Sequence, residues 1–179
     1  MVAMTDDLKL DDDDFTLFGL PRRFTLDPAQ LEERRRVLQA ATHPDRFASQ
    51  GAAAQRVAMQ WAVRVNEAHR RLKDPVARAA LLCELAGVPI DAERNTAMPA
   101  EFLVQQMAWR EALEEAADVP AVEALDDQVA AFEREVQANI ARLLDQQGDA
   151  RAAAERVRAL MFVARFRSDV EKRLDALGQ

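Results

Sequence analysis

An all-α fold in two parts is what this sequence predicts, on three observations. Alanine, leucine, arginine and glutamate dominate, while only five glycines and seven prolines occur among 179 residues. That mixture favours helix and leaves little material for strands or hairpins. The prolines and glycines punctuate stretches of helical period. Charge is divided along the chain as well. Residues 1–14 hold six Asp and one Lys, a net −5; residues 15–88 hold twelve basic and seven acidic side chains, a net +5; residues 89–179 hold eleven and eighteen, a net −7. Such asymmetry suits two domains with different partners.

The elements follow in order. Residues 1–12 carry clustered aspartates with little to bury, which predicts a disordered acidic lead-in. A short helix over Phe15–Leu20 stops at Pro21. Asp27-Pro28 is a helix start, with the carboxylate as N-cap and proline at the first helical position. That helix ends at Thr42, because a residue before proline is pushed out of helical geometry and His43-Pro44 follows. A loop to Gly51 leads into a long helix over Ala52–Lys73, where Val57, Trp61, Val65, Ala68 and Leu72 fall on one stripe. Asp74-Pro75 restarts a helix that Gly87 ends.

Residues 13–88 therefore read as one domain and residues 89–98, which show no period, as a linker. Three helices fit the rest: Pro99–Ala117, Pro120–Gln147 and Asp149–Leu177. Short connections between long helices make antiparallel neighbours, so residues 99–179 should form a three-helix bundle.

Several function classes lack their residues. Cys83 is the only cysteine and lies in an apolar run, which suits a small core residue and excludes an intrachain disulfide or a Cys-x-x-Cys site. His43 and His69 are the only histidines, with no metal-ligand spacing or nucleophile–base signature around them, and His69 reads as a solvated flank. No glycine loop could cradle a phosphate. Neither a catalytic site, a metal nor a cofactor is called for. No stretch reaches the ~20 apolar residues of a membrane span, and the acidic amino terminus is neither a signal nor a transit peptide. A reducing, cytoplasmic setting follows. The overall charge of −7 argues against nucleic acid as a partner, despite Arg34–Arg36.

His43-Pro44-Asp45, between a basic helix and a long amphipathic one, resembles the tip of a J domain. Asp14-Phe15-Thr16-Leu17-Phe18-Gly19-Leu20 resembles that family's opening helix, and Asn66-Glu67-Ala68 with Leu72-Lys73-Asp74-Pro75 its closing one. Beyond these, Arg78–Leu82, Phe102–Glu111 and Arg158–Phe162 resemble the HscB family in particular, so the likeness covers all but the first dozen residues. It implies an N-terminal J domain, a helical hairpin with flanking short helices, followed by a client-binding bundle.

The resemblance also implies roles. The aspartate of the tripeptide engages a DnaK-like ATPase (HscA type) and promotes hydrolysis there, while Pro44 stiffens the turn that presents it. His43, Pro44, Asp45, Arg46 and the basic Arg36 are then the chaperone-binding residues. Arg35, Ala41 and Thr42 stand where the family usually has an aromatic, a lysine and a tyrosine.

The helix from Pro99 has two apolar stripes. Phe102, Trp109, Leu113 and Ala116 make a core face, whereas Leu103, Val104 and Met107 lie elsewhere beside charged residues, as a docking surface would. In the last helix Leu160, Val163, Val170 and Leu174 face inward and Phe162 points off that face. By resemblance, Leu103, Val104, Met107, Arg110, Glu111 and Phe162 bind the iron–sulfur scaffold protein (IscU type), with Val104 smaller than the methionine common there. The expected molecule is a monomeric adaptor with two partners. A general J protein serving a different client is the alternative.

Overall fold

The computed structural model describes residues 7–178, among which helix is the only regular structure. Its helices are α1 (Asp14–Phe18), α2 (Pro28–Thr42), α3 (Ala52–Lys73), α4 (Pro75–Leu85), α5 (Ala100–Glu115), α6 (Val119–Ala141) and α7 (Ala150–Leu177). A 3-10 turn, Pro44–Gln50, fills the loop expected after His43, and α6 ends in a π turn, Arg142–Gln147. None of the helices is long and apolar enough to cross a membrane. The caps are those the residues imply. Asp27 Oδ1 accepts from Ala29 N at 2.9 Å with Pro28 at the first helical position. Asp118 and Asp149 cap α6 and α7 in the same way, at 2.9 and 3.0 Å.

The chain divides into two compact units, the first running to Arg78 and the second from Ala79. In the first, α2 and α3 form a hairpin against which α1 packs. Phe15, Leu17 and Phe18 are almost wholly buried with Leu31, Leu38, Val65, Ala68 and Leu72. Asp14 is buried too, and an unpaired carboxylate there would be costly. Arg71 grips it with two hydrogen bonds, at 2.6 and 2.7 Å, and Arg64 adds a third contact at 2.8 Å. Arg64 also donates to the carbonyls of Leu10 and Asp12. Residues 9–12, expected in a disordered lead-in, are therefore a turn fastened to α3, closed by Asp12 N on Lys9 O at 3.1 Å. Residues 1–6 of that lead-in lie outside the described residues.

Polar contacts hold the rest of the hairpin in register. Gln39 donates to Asn66 at 3.1 Å, and Glu32 meets His69 at 2.6 Å. His69 is therefore an inter-helix partner with a largely buried ring, where a solvated flank was expected. The Glu32 carboxyl sits below its ordinary range, chiefly through that hydrogen bond, with Arg35 adding a second. Arg35 turns its guanidinium to Glu32 and Gln39. Arg34 donates to Phe18 O at 2.6 Å, and its guanidinium lies across Gly19, where an added Cβ would collide with it. Gly19 has φ +61°, a left-handed conformation that favours glycine. One part of the expected stripe is displaced: Val57 is exposed and Ala58 buried.

In the second unit α5, α6 and α7 form an antiparallel three-helix bundle. Phe102, Trp109, Val122, Leu125, Val129, Val163, Phe166 and Val170 form its core, with Phe132 filling between rings. Trp109 stacks on Phe166 and meets Phe132 edge-on at a centroid distance of 5.0 Å. Arg167 on α7 binds Asp126 through two hydrogen bonds and Glu133 through a third, pinning α6 alongside. Gly148 (φ +63°) allows the reversal between α6 and α7.

The division precedes the expected boundary at residue 88 by ten residues, because the stretch beyond Arg78 has its own buried anchors in the distal unit. Ala79, Leu82, Cys83 and Ile90 are buried, and Cys83 Sγ lies 3.6 Å from the carbonyl oxygen of Ala150. Arg158, itself buried, donates to Ile90 O at 3.0 Å and Ala97 O at 3.2 Å. Residues 89–98, expected as a linker, are thereby strapped to α7.

Removing the Asp14 carboxylate takes away the anionic partner of Arg64 and Arg71 and the anchor of α1, so Asp14→Ala should lower unfolding free energy by about 2–4 kcal/mol, read from the urea midpoint. Burial pushes the Cys83 thiol from its ordinary 9.0 up to about 11. An unfolded thiol thus ionises first. Its contribution to stability is complete below pH 9.0 and is lost as pH climbs toward 11. Denaturation midpoints across that window should fall more steeply for the parent than for Cys83→Ala.

Candidate functional site

Two exposed sets of residues stand out, one in each unit. In the first, proline at residue 44 cannot continue α2, and the chain turns into the 3-10 segment instead. His43 caps that turn, its Nδ1 accepting from Asp45 N at 3.3 Å, while Arg46 N donates to His43 O at 3.1 Å. Arg46 then reaches back, and its guanidinium donates to Ala40 O at 2.8 Å. This satisfies one of the carbonyls a helix leaves open at its C-terminus and places positive charge at the negative end of its dipole. The turn is thus braced from both sides.

Asp45 projects from it with its side chain 91% exposed, 3.6 Å from the His43 ring. A short side chain on a braced turn presents its charge with little entropy left to lose. Arg36 is also exposed but is paired with Glu33 at 2.9 Å, which tempers the positive charge expected of α2. Thr42 is buried, its hydroxyl donating to Leu38 O at 2.8 Å, so it is satisfied without the reach of a tyrosine.

In the second unit α5 divides as its two stripes predict. Phe102, Trp109 and Ala116 are buried, whereas Leu103, Val104 and Met107 are 43%, 71% and 71% exposed. Arg110 and Glu111 are exposed on the same helix. Phe162 is half-buried. Its ring meets Phe102 edge-on at 5.6 Å and carries the Arg110 guanidinium over its face at 5.2 Å. Cation–π contact orients that guanidinium without neutralising it.

Leu103, Met107, Arg110 and Phe162 thus come together on one side of the bundle, along a groove of about 610 Å³ between α5, α7 and the strapped segment. Val104 and Glu111 lie outside the groove lining, farther round α5. Sequence reasoning missed Met161 and Arg165 in that lining. The available signal was spacing: residues 158, 161, 162 and 165 share a face of α7 at the i, i+3, i+4, i+7 period.

Comparison with known proteins places the chain in a family. Residues 98–171 match the family model described as the HSCB C-terminal oligomerisation domain. The chain is 49% identical to the co-chaperone protein HscB homolog of Bordetella pertussis over 89% of its own length and 94% of the relative's. It is likewise 49% identical to the homolog of Burkholderia vietnamiensis, over 95% and 98% of the two chains. The protein belongs to the HscB family of co-chaperones. Chaperone HscB from Vibrio cholerae has the same fold, with a TM-score of 0.84 at 38% identity, covering 92% of this chain and 99% of that one. An HscB architecture accounts for what each unit contains: a J domain whose hairpin tip carries His43-Pro44-Asp45, and a helical bundle.

Exposed and core stripes of the HscB bundle should separate in stability measurements. Val104→Ala and Met107→Ala should each shift unfolding free energy by no more than about 0.5 kcal/mol. Trp109→Ala, which empties the aromatic core, should cost about 3–5 kcal/mol. Thermal melts of the three variants check this.

Proposed function

We propose that this protein stimulates the ATPase of a DnaK-like chaperone of the HscA type and delivers to it an iron–sulfur scaffold protein of the IscU type. The observation that carries the reading is Asp45, an exposed carboxylate on a turn braced by Pro44 and Arg46, in a chain of HscB kinship. Asp45 supplies the charge that engages the ATPase, and His43 and Pro44 set its direction. Arg36 contributes long-range attraction weakened by Glu33, and Arg46 acts first on the turn itself.

The client docks on the distal bundle. Leu103 and Met107 supply exposed apolar area, Phe162 a ring fixed from behind by the core, and Arg110 and Glu111 charges of opposite sign; Val104 adds a smaller contact. Carrying both sites on one chain raises the client's effective concentration at the chaperone. No catalysis or cofactor of the adaptor's own enters this scheme. A lone, buried thiol fits work in a reducing, cytoplasmic compartment.

The test is steady-state ATP hydrolysis by the cognate DnaK-like protein, with the scaffold client present. Asp45→Ala should return the rate to the unstimulated level while helicity and melting temperature stay unchanged. Leu103→Ala combined with Met107→Ala should remove only the client-dependent part. Full stimulation by Asp45→Ala would refute the proposal.

A further inference from the structure

We propose that the client site extends from Leu103, Met107, Arg110 and Phe162 across the groove to Arg165, taking a client segment in which a carboxylate adjoins an apolar side chain. This rests on the reading of the bundle as the scaffold-binding unit. Three observations point to that chemistry.

The first is the sign of the charge. Residues 89–179 hold eighteen acidic and eleven basic side chains, yet no Asp or Glu is among the residues lining the groove. Its ionic lining is Arg110, Arg158 and Arg165. In so acidic a segment, a cleft that excludes carboxylates and gathers guanidinium groups favours an anionic occupant.

The second is which of those charges is available. Arg158 is buried and engaged with the carbonyls of Ile90 and Ala97, so it builds the wall. Arg165 is exposed and, among the described residues, makes no hydrogen bond or ion pair. Arg110 lays one face on the Phe162 ring and, among the described residues, meets no carboxylate. Two guanidinium groups, one from α5 and one from α7, thus flank the groove with donors to spare, and guanidinium is suited to bidentate capture of a carboxylate.

The third is the floor. Met98, Met161 and Phe162 line it, and Leu103 and Met107 continue it onto the exposed stripe. Methionine side chains repack around different shapes, which suits a surface meeting an apolar group of a partner. The groove is therefore continuous with the client surface proposed above. Glu111, on α5 outside the groove, offers the opposite charge at another edge. Opposite signs at two edges of one apolar surface fix which way round a client lies.

Calorimetric titration of the purified scaffold protein into the full chain tests this. Arg165→Glu should weaken binding roughly tenfold, Arg165→Gln less, and Arg165→Lys least, since lysine keeps the charge but loses the bidentate fork. The Arg165→Glu complex should also lose part of the parent's salt dependence. Arg165 is exposed, so unchanged circular dichroism and melting temperature are the folding control.

Unaltered affinity for Arg165→Glu, with binding lost in Leu103→Ala/Met107→Ala, would overturn the groove proposal and leave the client reading standing. No binding by the parent protein would overturn both. If sedimentation instead showed that Arg165→Glu abolishes self-association of the parent without affecting scaffold binding, the groove would hold a second copy of this chain, and the proposal would fail.

Discussion

Charge taken out of water must be met by charge or by aligned dipoles, and each unit of this protein is organised around one such group. In the amino-terminal unit it is Asp14, whose carboxylate is buried at the start of a five-residue helix. So short a helix has almost no stability of its own. Apolar burial of Phe15, Leu17 and Phe18 holds it down, and the two arginines of α3 determine how it lies. Arg64 goes further and ties the preceding turn by two backbone carbonyls. In the carboxyl-terminal unit it is Arg158, whose guanidinium is satisfied by carbonyl oxygens of the segment before α5. One residue thereby turns a stretch without helical period into a wall of the groove.

These two anchors explain why the exposed sites can be small. A hairpin held in register by Glu32–His69 and Gln39–Asn66 can end in a turn whose only conspicuous group is one carboxylate. Arg46 illustrates the economy of such a site. Its charge matches the basic character expected beside the tripeptide, but its donor is committed to the end of α2, so its first effect is to hold Asp45 in place. Stiffening of this kind acts through the entropy of the free state.

On the distal bundle the same logic gives a surface with two kinds of support. Leu103, Val104 and Met107 stand in water without contributing to the aromatic core, which leaves them free to serve recognition. Phe162 belongs to both sides, since its ring edge packs on Phe102 while its face carries Arg110. Truncating it would disturb packing and docking together, whereas Arg165 offers a cleaner separation of the two.

The helices, their caps and the two stripes of α5 were legible in the sequence, because they depend on local chemistry: proline geometry, side-chain caps and the 3.6-residue period. The tip tripeptide was legible as a turn for the same reason, and as a site only through its resemblance to a J domain. What local chemistry could not supply was partnership between distant residues. Nothing in the pattern marks Arg64 and Arg71 as the partners of Asp14, or His69 as the partner of Glu32, since exposed and buried charged residues look alike at helical spacing. The true extent of the second unit escaped for that reason too. Residues 79–98 join it through Cys83, Ile90 and the reach of Arg158, contacts that span more than sixty residues of chain. The groove is the plainest case: α5, α7 and the strap each contribute a side of it, and only their packing puts Arg110 and Arg165 across one cleft.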